Sequence, residues 1–447
     1  MTRKLKFWSI TVALAGFLFG FDTVVISGAN LPIKALWNTT PFFHGFFIMS
    51  MALWGTVLGA VFGGIPCDRL GRKKTLFWIG ILFAASAVGS ALAQDPYLFS
   101  FFRFVGGIGV GASSVAAPTY ISEIAPARER GKLVALYQFM IVFGILCAFV
   151  SNFLLSGLGG SHDWRWMLGV EAIPALAYTL MVMTVPESPR WLVIYKGDKN
   201  NARAIISELG VSDVEKTLED IGLSVVKEKG RFFSKTYSKP ITLAFFIAFF
   251  NQWSGINFIL YYAPEILELS GLGSKESLSN AISIGGVNLL FTLIGMILID
   301  RSGRKYLMKI GSVGYIVSLA MVAFSFYTDS DPLFLMFFLL MFIASHAVGQ
   351  GAVIWVFISE IFPNKVRASG QSFGTSIHWI FAGLITLLGP VVIDAFRDNP
   401  WPVFAGFAVF MVFQLLWVLI FMPETRGKSL EDLSETIVPL SQSMKDH

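Results

Sequence analysis

Asp68-Arg69-Leu70-Gly71-Arg72-Lys73 returns later in the chain as Asp300-Arg301-Ser302-Gly303-Arg304-Lys305. The words around it return too. Glu123, Pro126 and Arg130 recur with the same spacing as Glu360, Pro363 and Arg367, and Pro186-Glu187-Ser188 recurs as Pro423-Glu424-Thr425. The offsets are 232, 237 and 237 residues, so whole halves are duplicated and not single words. A period of half the chain is too long for a solenoid unit. It fits a membrane carrier built from two parallel halves.

Composition sets the solvent. Of the 447 residues, 55% are hydrophobic and 14% charged, and the mean hydropathy is +0.66. A soluble domain has about 25% charged residues, so this chain lacks the polar surface to live in water. The net charge of +5 raises the question of a nucleic-acid partner. Its basic residues sit in short loops between apolar runs, which argues against one and for a lipid bilayer as surroundings. Cys67 and Cys147 are far apart and form neither a metal cluster nor a disulfide framework.

Apolar runs between charged or turn-rich breaks predict twelve membrane helices. Six lie at 7–29, 43–65, 75–93, 97–122, 131–156 and 164–184, and six at 240–267, 279–299, 306–326, 332–360, 368–395 and 401–422. The expected organisation is an N-terminal bundle at 1–185, a polar linker at 186–239, a C-terminal bundle at 240–423 and a tail at 424–447. The linker is expected to carry short amphipathic helices such as 200–209. The basic N-terminus followed by an apolar run looks like a signal peptide. It has no small-residue cleavage site and Asp22 interrupts the apolar stretch, so it reads as an uncleaved first span.

Alternate loops hold the positive charge. One set carries Arg69, Arg72, Lys73 and Lys74, then Arg128, Arg130 and Lys132, then Arg301, Arg304 and Lys305, then Lys365 and Arg367. The N-terminus, the linker and Arg426 and Lys428 of the tail belong to the same set. The opposite loops hold only Lys34, Arg165, Lys275 and Arg397, and 93–97 and 327–332 hold none. Both termini are therefore expected in the cytoplasm. On that side the repeated arginines can pair with Asp68, Asp300, Glu123, Glu360, Glu187 and Glu424, with Arg190 beside them, and latch helix ends together. The competing reading is plain positive-inside anchoring.

These motifs carry a resemblance. Asp68–Lys73 resembles the loop signature of the major facilitator superfamily. Residues 118–126 (Pro-Thr-Tyr-Ile-Ser-Glu-Ile-Ala-Pro), 186–192 (Pro-Glu-Ser-Pro-Arg-Trp-Leu) and 423–427 (Pro-Glu-Thr-Arg-Gly) resemble the sugar porter signatures. The resemblance runs from Gly16 to Leu430. It implies an all-α membrane protein of twelve helices in two pseudo-symmetric six-helix bundles. It further implies alternating access in a plasma (inner) membrane and a monosaccharide held by a protein that works as a monomer.

Polar residues inside membrane helices are functional candidates by default. The densest group is Asn251-Gln252-Trp253-Ser254-Gly255-Ile256-Asn257, followed by Tyr261 and Tyr262. Amides both donate and accept, as a ring of sugar hydroxyls requires. Gly255 would let the helix break. Asn257 and Tyr261, four apart, share a helix face. The segment resembles the porters' amide motif, with Asn251 where the family usually has glutamine. By the same resemblance Gln138, Asn288, Gly351, Trp355 and Trp379 match sugar contacts, and Phe19 joins them. His378 stands where relatives carry Asn, Gln or, in some fructose carriers, His. A satisfied core histidine is the alternative there, and His346 reads as packing. Trp8, Trp54 and Trp417 read as lipid-facing or interfacial.

Asp22 lies mid-helix, and Arg103 precedes Gly106, Gly107, Gly109 and Gly111, which allow close helix packing. Burial alone would neutralise the carboxylate, whereas an arginine partner would keep it ionised. Protonating it would release the arginine. Glu171 is a second carboxylate inside a span. By resemblance, proton-coupled porters have an aspartate at the Asp22 position where facilitative glucose transporters of animals are uncharged. Glu171 matches an acidic residue of the bacterial xylose–proton symporters. Proton symport is thus expected, with facilitated uniport as the alternative and a non-transporting sugar sensor as one of another class. No metal ligand set, nucleophile elbow or P-loop is present, so neither an enzyme nor a cofactor is expected.

Overall fold

The computed structural model describes residues 2–126, 129–210, 213–223, 232–363, 366–427, 433 and 437. Arg128, Lys365, Lys428 and most of the tail lie outside them. Among the described residues there is no strand. Eleven helices are long and apolar enough to cross a membrane, or twelve if a pair bent by 41° is one span. The chain divides into two compact units, Met1–Asn38 with Phe47–Lys227, and Thr39–Phe46 with Glu228–His447.

In the first unit the spans are α1 (Arg3–Trp37), α2 (Met51–Phe62), α3 (Arg72–Leu92), α4 (Pro96–Ile124), α5 (Arg130–Leu155) and α6 (Gly160–Met183). Helix α1 runs eight residues past its expected end, carrying Pro32 within it, and closes at Asn38 in a left-handed conformation. The expected second span is not continuous. A π-helical turn at His44–Met49 and a bend at Ser50 precede α2. Pro41–Phe43 and the start of this turn group with the second unit.

Small residues seat the helices of this unit. A Cβ added to Gly107 or Gly111 of α4 would strike the backbone of α2, and one added to Gly55 or Gly59 of α2 would strike α4. Gly106 faces Ser86 of α3. Two polar helices of the linker, α7 (Lys199–Glu208) and α8 (Val214–Leu223), pack Ala202, Ile206 and Leu218 into a core of their own. Lys4 reaches Glu208 at 3.1 Å.

The second unit carries α9 (Lys235–Tyr261), α10 (Ser274–Ser302), α11 (Arg304–Tyr327), α12 (Pro332–Ile361), α13 (Arg367–Ala395) and α14 (Trp401–Ile420). Helix α9 breaks at Gly255, whose φ of +85° only glycine adopts without strain. Helix α12 contains a π turn at Ala347–Gly351, which apolar periodicity cannot announce. An Asp-Pro pair starts a helix in each unit. Asp95 accepts from the backbone of Tyr97 and Leu98 at the head of α4, and Asp331 from Leu333 at the head of α12.

Two of the three tryptophans expected at the lipid face are buried. Trp8 and Trp417 are 6% and 7% exposed. Trp417 packs against the rings of Phe246 and Phe250 on α9, so helix–helix packing claims it. Trp54 is half-buried and donates to Ser50 Oγ. His346 is half-buried in helix packing, with its ring nitrogen 2.5 Å from the Tyr315 hydroxyl.

Candidate functional site

The repeated turn shows why its residues are needed. Gly71 and Gly303 sit at φ of +99° and +91°. A side chain on either would also collide with Glu187 or Glu424. Those carboxylates occupy the heads of α3 and α11. Glu187 accepts from the backbone N–H groups of Arg72, Lys73 and Ser188 at 2.8–3.1 Å. Glu424 accepts from Arg304, Lys305, Thr425 and Arg426 at 3.0 Å. An anion there satisfies orphan donors and meets the positive end of the helix dipole. The expected role of Glu187 and Glu424 as partners for arginine side chains is thus corrected. They hold backbone instead, because the glycine turn brings the N–H groups to them first.

Arg72 is the centre of the first network. Its Nε and Nη2 donate to both oxygens of Glu123 at 3.1 and 3.0 Å, and its Nη1 to Cys67 O and Asp68 Oδ1. Ser188 Oγ donates to Glu123 Oε2. The second unit repeats this atom for atom. Arg304 forks onto Glu360 at 3.2 and 2.7 Å and reaches Ile299 O and Asp300, while Thr425 Oγ1 donates to Glu360. Each network is internal to its unit.

Not every arginine of the expected latch joins in. Arg69 and Arg301 are exposed and make no ion pair among the described residues. Arg130 donates to Ser122 O and Arg367 to Phe362 O, so both tie a turn together through backbone. Arg190 lies exposed one turn beyond Glu187. Burial pushes the Glu187 carboxyl above the usual range, against its three N–H partners. At Glu424 burial acts the same way, but four N–H groups outweigh it and hold the carboxyl below that range.

Inside the first unit, Asp22 and Arg103 meet as sequence reasoning expects. Arg103 Nη1 donates to Asp22 Oδ1 at 2.5 Å and Nη2 to the backbone oxygen of Asp22 at 3.0 Å. Their side chains are 1% and 2% exposed. Glu171 is equally buried at the break in α6, and its carboxyl interacts electrostatically with both. The guanidinium is thus paired with Asp22, and the Glu171 carboxyl lies within electrostatic reach of that pair. Phe19 is buried one turn before Asp22, and Gln138 is half-buried on α5 with no hydrogen bond among the described residues.

The second unit gathers the amides. Asn257 Nδ2 donates to Gln252 Oε1 and Gln252 Nε2 to Asn251 Oδ1, both at 2.9 Å. Gln252 Nε2 also lies 3.2–3.3 Å from the ring nitrogens of His378. His378 packs between Trp355 and Trp379, with ring centroids 4.9 and 4.8 Å away. Tyr261 is buried on the short helix after the Gly255 break. Asn288 is buried on α10 without a hydrogen bond among the described residues, and Gly351 ends the π turn. Such a cluster of donors, acceptors and ring faces suits a polyhydroxylated ring with apolar C–H edges. Sequence reasoning missed Gln350 and Gln414, both fully buried in this region. Gln414 is a lone amide in an apolar helix, a signal that was there to read.

Comparison with known proteins agrees with this chemistry. Residues 8–436 match the family described as sugar (and other) transporter. The chain is 36% identical over 438 residues to the arabinose-proton symporter of Bacillus subtilis, covering 96% of this chain and 94% of that protein. It is 32% identical over 471 residues to the D-xylose-proton symporter of Escherichia coli K12, covering 95% and 94%. The xylose transporter XylE from E. coli, in a partially occluded inward open conformation, superposes with a TM-score of 0.85 at 29% identity, covering 96% of this chain and all of that one. With its long apolar helices and this match over nearly its whole length, the chain belongs to the sugar transporter family, as a multi-pass membrane protein of the major facilitator fold.

Proposed function

We propose that this protein imports a monosaccharide, a pentose or hexose, together with a proton. The buried Asp22–Arg103 pair beside buried Glu171 carries the reading. Protonation of Asp22 removes the charge that holds Arg103 Nη1 and leaves the guanidinium on backbone oxygen, so proton occupancy changes what joins α1 to α4. The sugar would bind at Gln252, Asn257, Asn251, Trp355 and His378, with Gln138, Asn288, Tyr261, Trp379, Gly351 and Phe19 contributing. The proton-coupled arabinose and xylose relatives support both halves of this reading.

The protein would work as a monomer by alternating access in the plasma membrane, with both termini cytoplasmic. The basic residues of alternate loops support that orientation. The Arg72–Glu123 and Arg304–Glu360 networks would then hold the cytoplasmic ends of each unit in register.

Uptake of labelled D-xylose, L-arabinose, D-galactose and D-glucose into cells expressing the protein tests the reading. Saturable uptake of at least one is expected. Gln252→Ala should raise its KM about tenfold or more, since a tenfold loss corresponds to ~1.4 kcal/mol and Gln252 joins three groups of the site. Uptake of none of the four, or a KM indifferent to Gln252, would contradict it.

A further inference from the structure

The amides of the candidate sugar site continue away from it as one hydrogen-bonded chain. Asn251 Nδ2 donates to Gln350 Oε1 at 3.4 Å, Gln350 Nε2 to Gln414 Oε1 at 2.8 Å, and Gln414 Nε2 to Ser312 Oγ at 2.8 Å. Ser312 Oγ in turn donates to Met308 O at 2.7 Å. Gln350, Gln414 and Ser312 are 0%, 1% and 0% exposed, so bulk solvent does not reach these groups. The π turn of α12 puts Gln350 there, and the bare faces of Gly349 and Gly311 let that turn press against α11.

The chain has a single sense. A backbone carbonyl only accepts, so the one hydroxyl proton of Ser312 is committed to Met308. Toward Gln414 the serine can then only accept, which turns the Gln414 nitrogen to it and the Gln414 oxygen to Gln350. The same logic passes along. Gln350 must offer its oxygen to Asn251, Asn251 its oxygen to Gln252, and Gln252 its oxygen to Asn257. At the far end Asn257 Oδ1 is left as an acceptor. Reversing any one amide would bring like groups together in a dry interior, at the cost of a buried unsatisfied pair.

We propose that Gln350, Gln414 and Ser312 are specificity-determining positioning residues, which never touch the sugar but fix which amide atoms of Asn251, Gln252 and Asn257 face it. This rests on the sugar-binding reading above. The site then presents an acceptor at Asn257 and demands a donating hydroxyl from the ligand. A fluorine in that place accepts weakly and donates nothing.

The test is binding to purified protein in nanodiscs, with D-xylose, L-arabinose, D-galactose and D-glucose, and then the mono-deoxyfluoro analogues of whichever binds best. Wild type should reject one analogue by at least tenfold relative to the parent sugar. Gln414→Met keeps the volume but cannot relay, and Ser312→Ala removes only the anchoring hydroxyl. Both should shrink that ratio several-fold, the double variant no further than either alone, while Ser312→Thr restores it. A purely structural role would lower thermal stability or affinity for all sugars alike and leave the ratio unmoved. An unchanged ratio in folded Ser312→Ala overturns the proposal while the sugar reading stands. If wild type binds no sugar, the sugar reading falls and takes the proposal with it.

Discussion

Replacing Asp22 with asparagine is expected to abolish uphill accumulation of sugar and leave sugar exchange running. Asparagine keeps the shape and the oxygen that faces Arg103 Nη1, and Arg103 Nη2 keeps its hold on the backbone oxygen of residue 22. What disappears is the site that alternates between charge and no charge. One charge crossing 100 mV releases ~2.3 kcal/mol, and ~1.4 kcal/mol corresponds to tenfold in concentration. The coupled protein can therefore hold a gradient of some tens-fold, and the variant should fall to equality across the membrane. Counterflow of labelled sugar in proteoliposomes measures exchange, and steady-state uptake under an imposed potential measures accumulation. Accumulation by Asp22→Asn at the wild-type level would remove Asp22 from the coupling mechanism.

The second large effect is expected at Arg72. It is buried, it forks onto Glu123, and it also serves Cys67 O and Asp68. Arg72→Ala leaves the Glu123 side chain buried with, among the described residues, only Ser188 as a side-chain partner. Breaking such a pair by removing one partner costs about 3–5 kcal/mol. The expected result is an apparent melting temperature in detergent lowered by several degrees, with transport reduced at least tenfold. Arg304→Ala should behave alike, since Arg304 and Glu360 repeat the arrangement. Arg69→Ala is the control. Arg69 carries the same positive charge in the same turn, but it is exposed and makes no ion pair among the described residues. A change of that kind stays within about 0.5 kcal/mol. Equal losses in Arg69→Ala and Arg72→Ala would mean that the turn serves only as a positive anchor.

The contrast between those two arginines marks how far the sequence could be read. Span number, the duplicated halves and the Asp22–Arg103 pairing were legible, because apolar length, word spacing and a charge in an apolar helix are one-dimensional signals. Which arginine of a repeated word points inward is not. Arg72 starts a helix and swings onto α4, while Arg69 ends the preceding one and faces out, a difference decided by the Gly71 turn. The capping role of Glu187 and Glu424 escaped for the same reason. Backbone donors do not appear in a residue string.

The amide cluster divides in the same way. Asn251, Gln252 and Asn257 are close in sequence and stand out together, and the Gly255 break was readable from the one residue able to make it. Gln350 and Gln414 lie 99 and 163 positions beyond Asn251. A π turn with no sequence signature of its own carries Gln350 into place. Trp8 and Trp417 failed for another reason. Tryptophan at a helix end packs between helices as readily as it lies in an interface, and the hydropathy of its own span does not say which.

The most direct test of proton-coupled sugar import is the proton itself. Purified protein in proteoliposomes, lightly buffered and with potassium and valinomycin to carry compensating charge, is given the transported sugar outside while external pH is recorded. The account predicts a prompt alkalinisation in step with sugar entry, in a fixed ratio of protons to sugar and absent in Asp22→Asn. Sugar entry at the wild-type rate with no change in external pH would contradict it and leave a facilitated carrier.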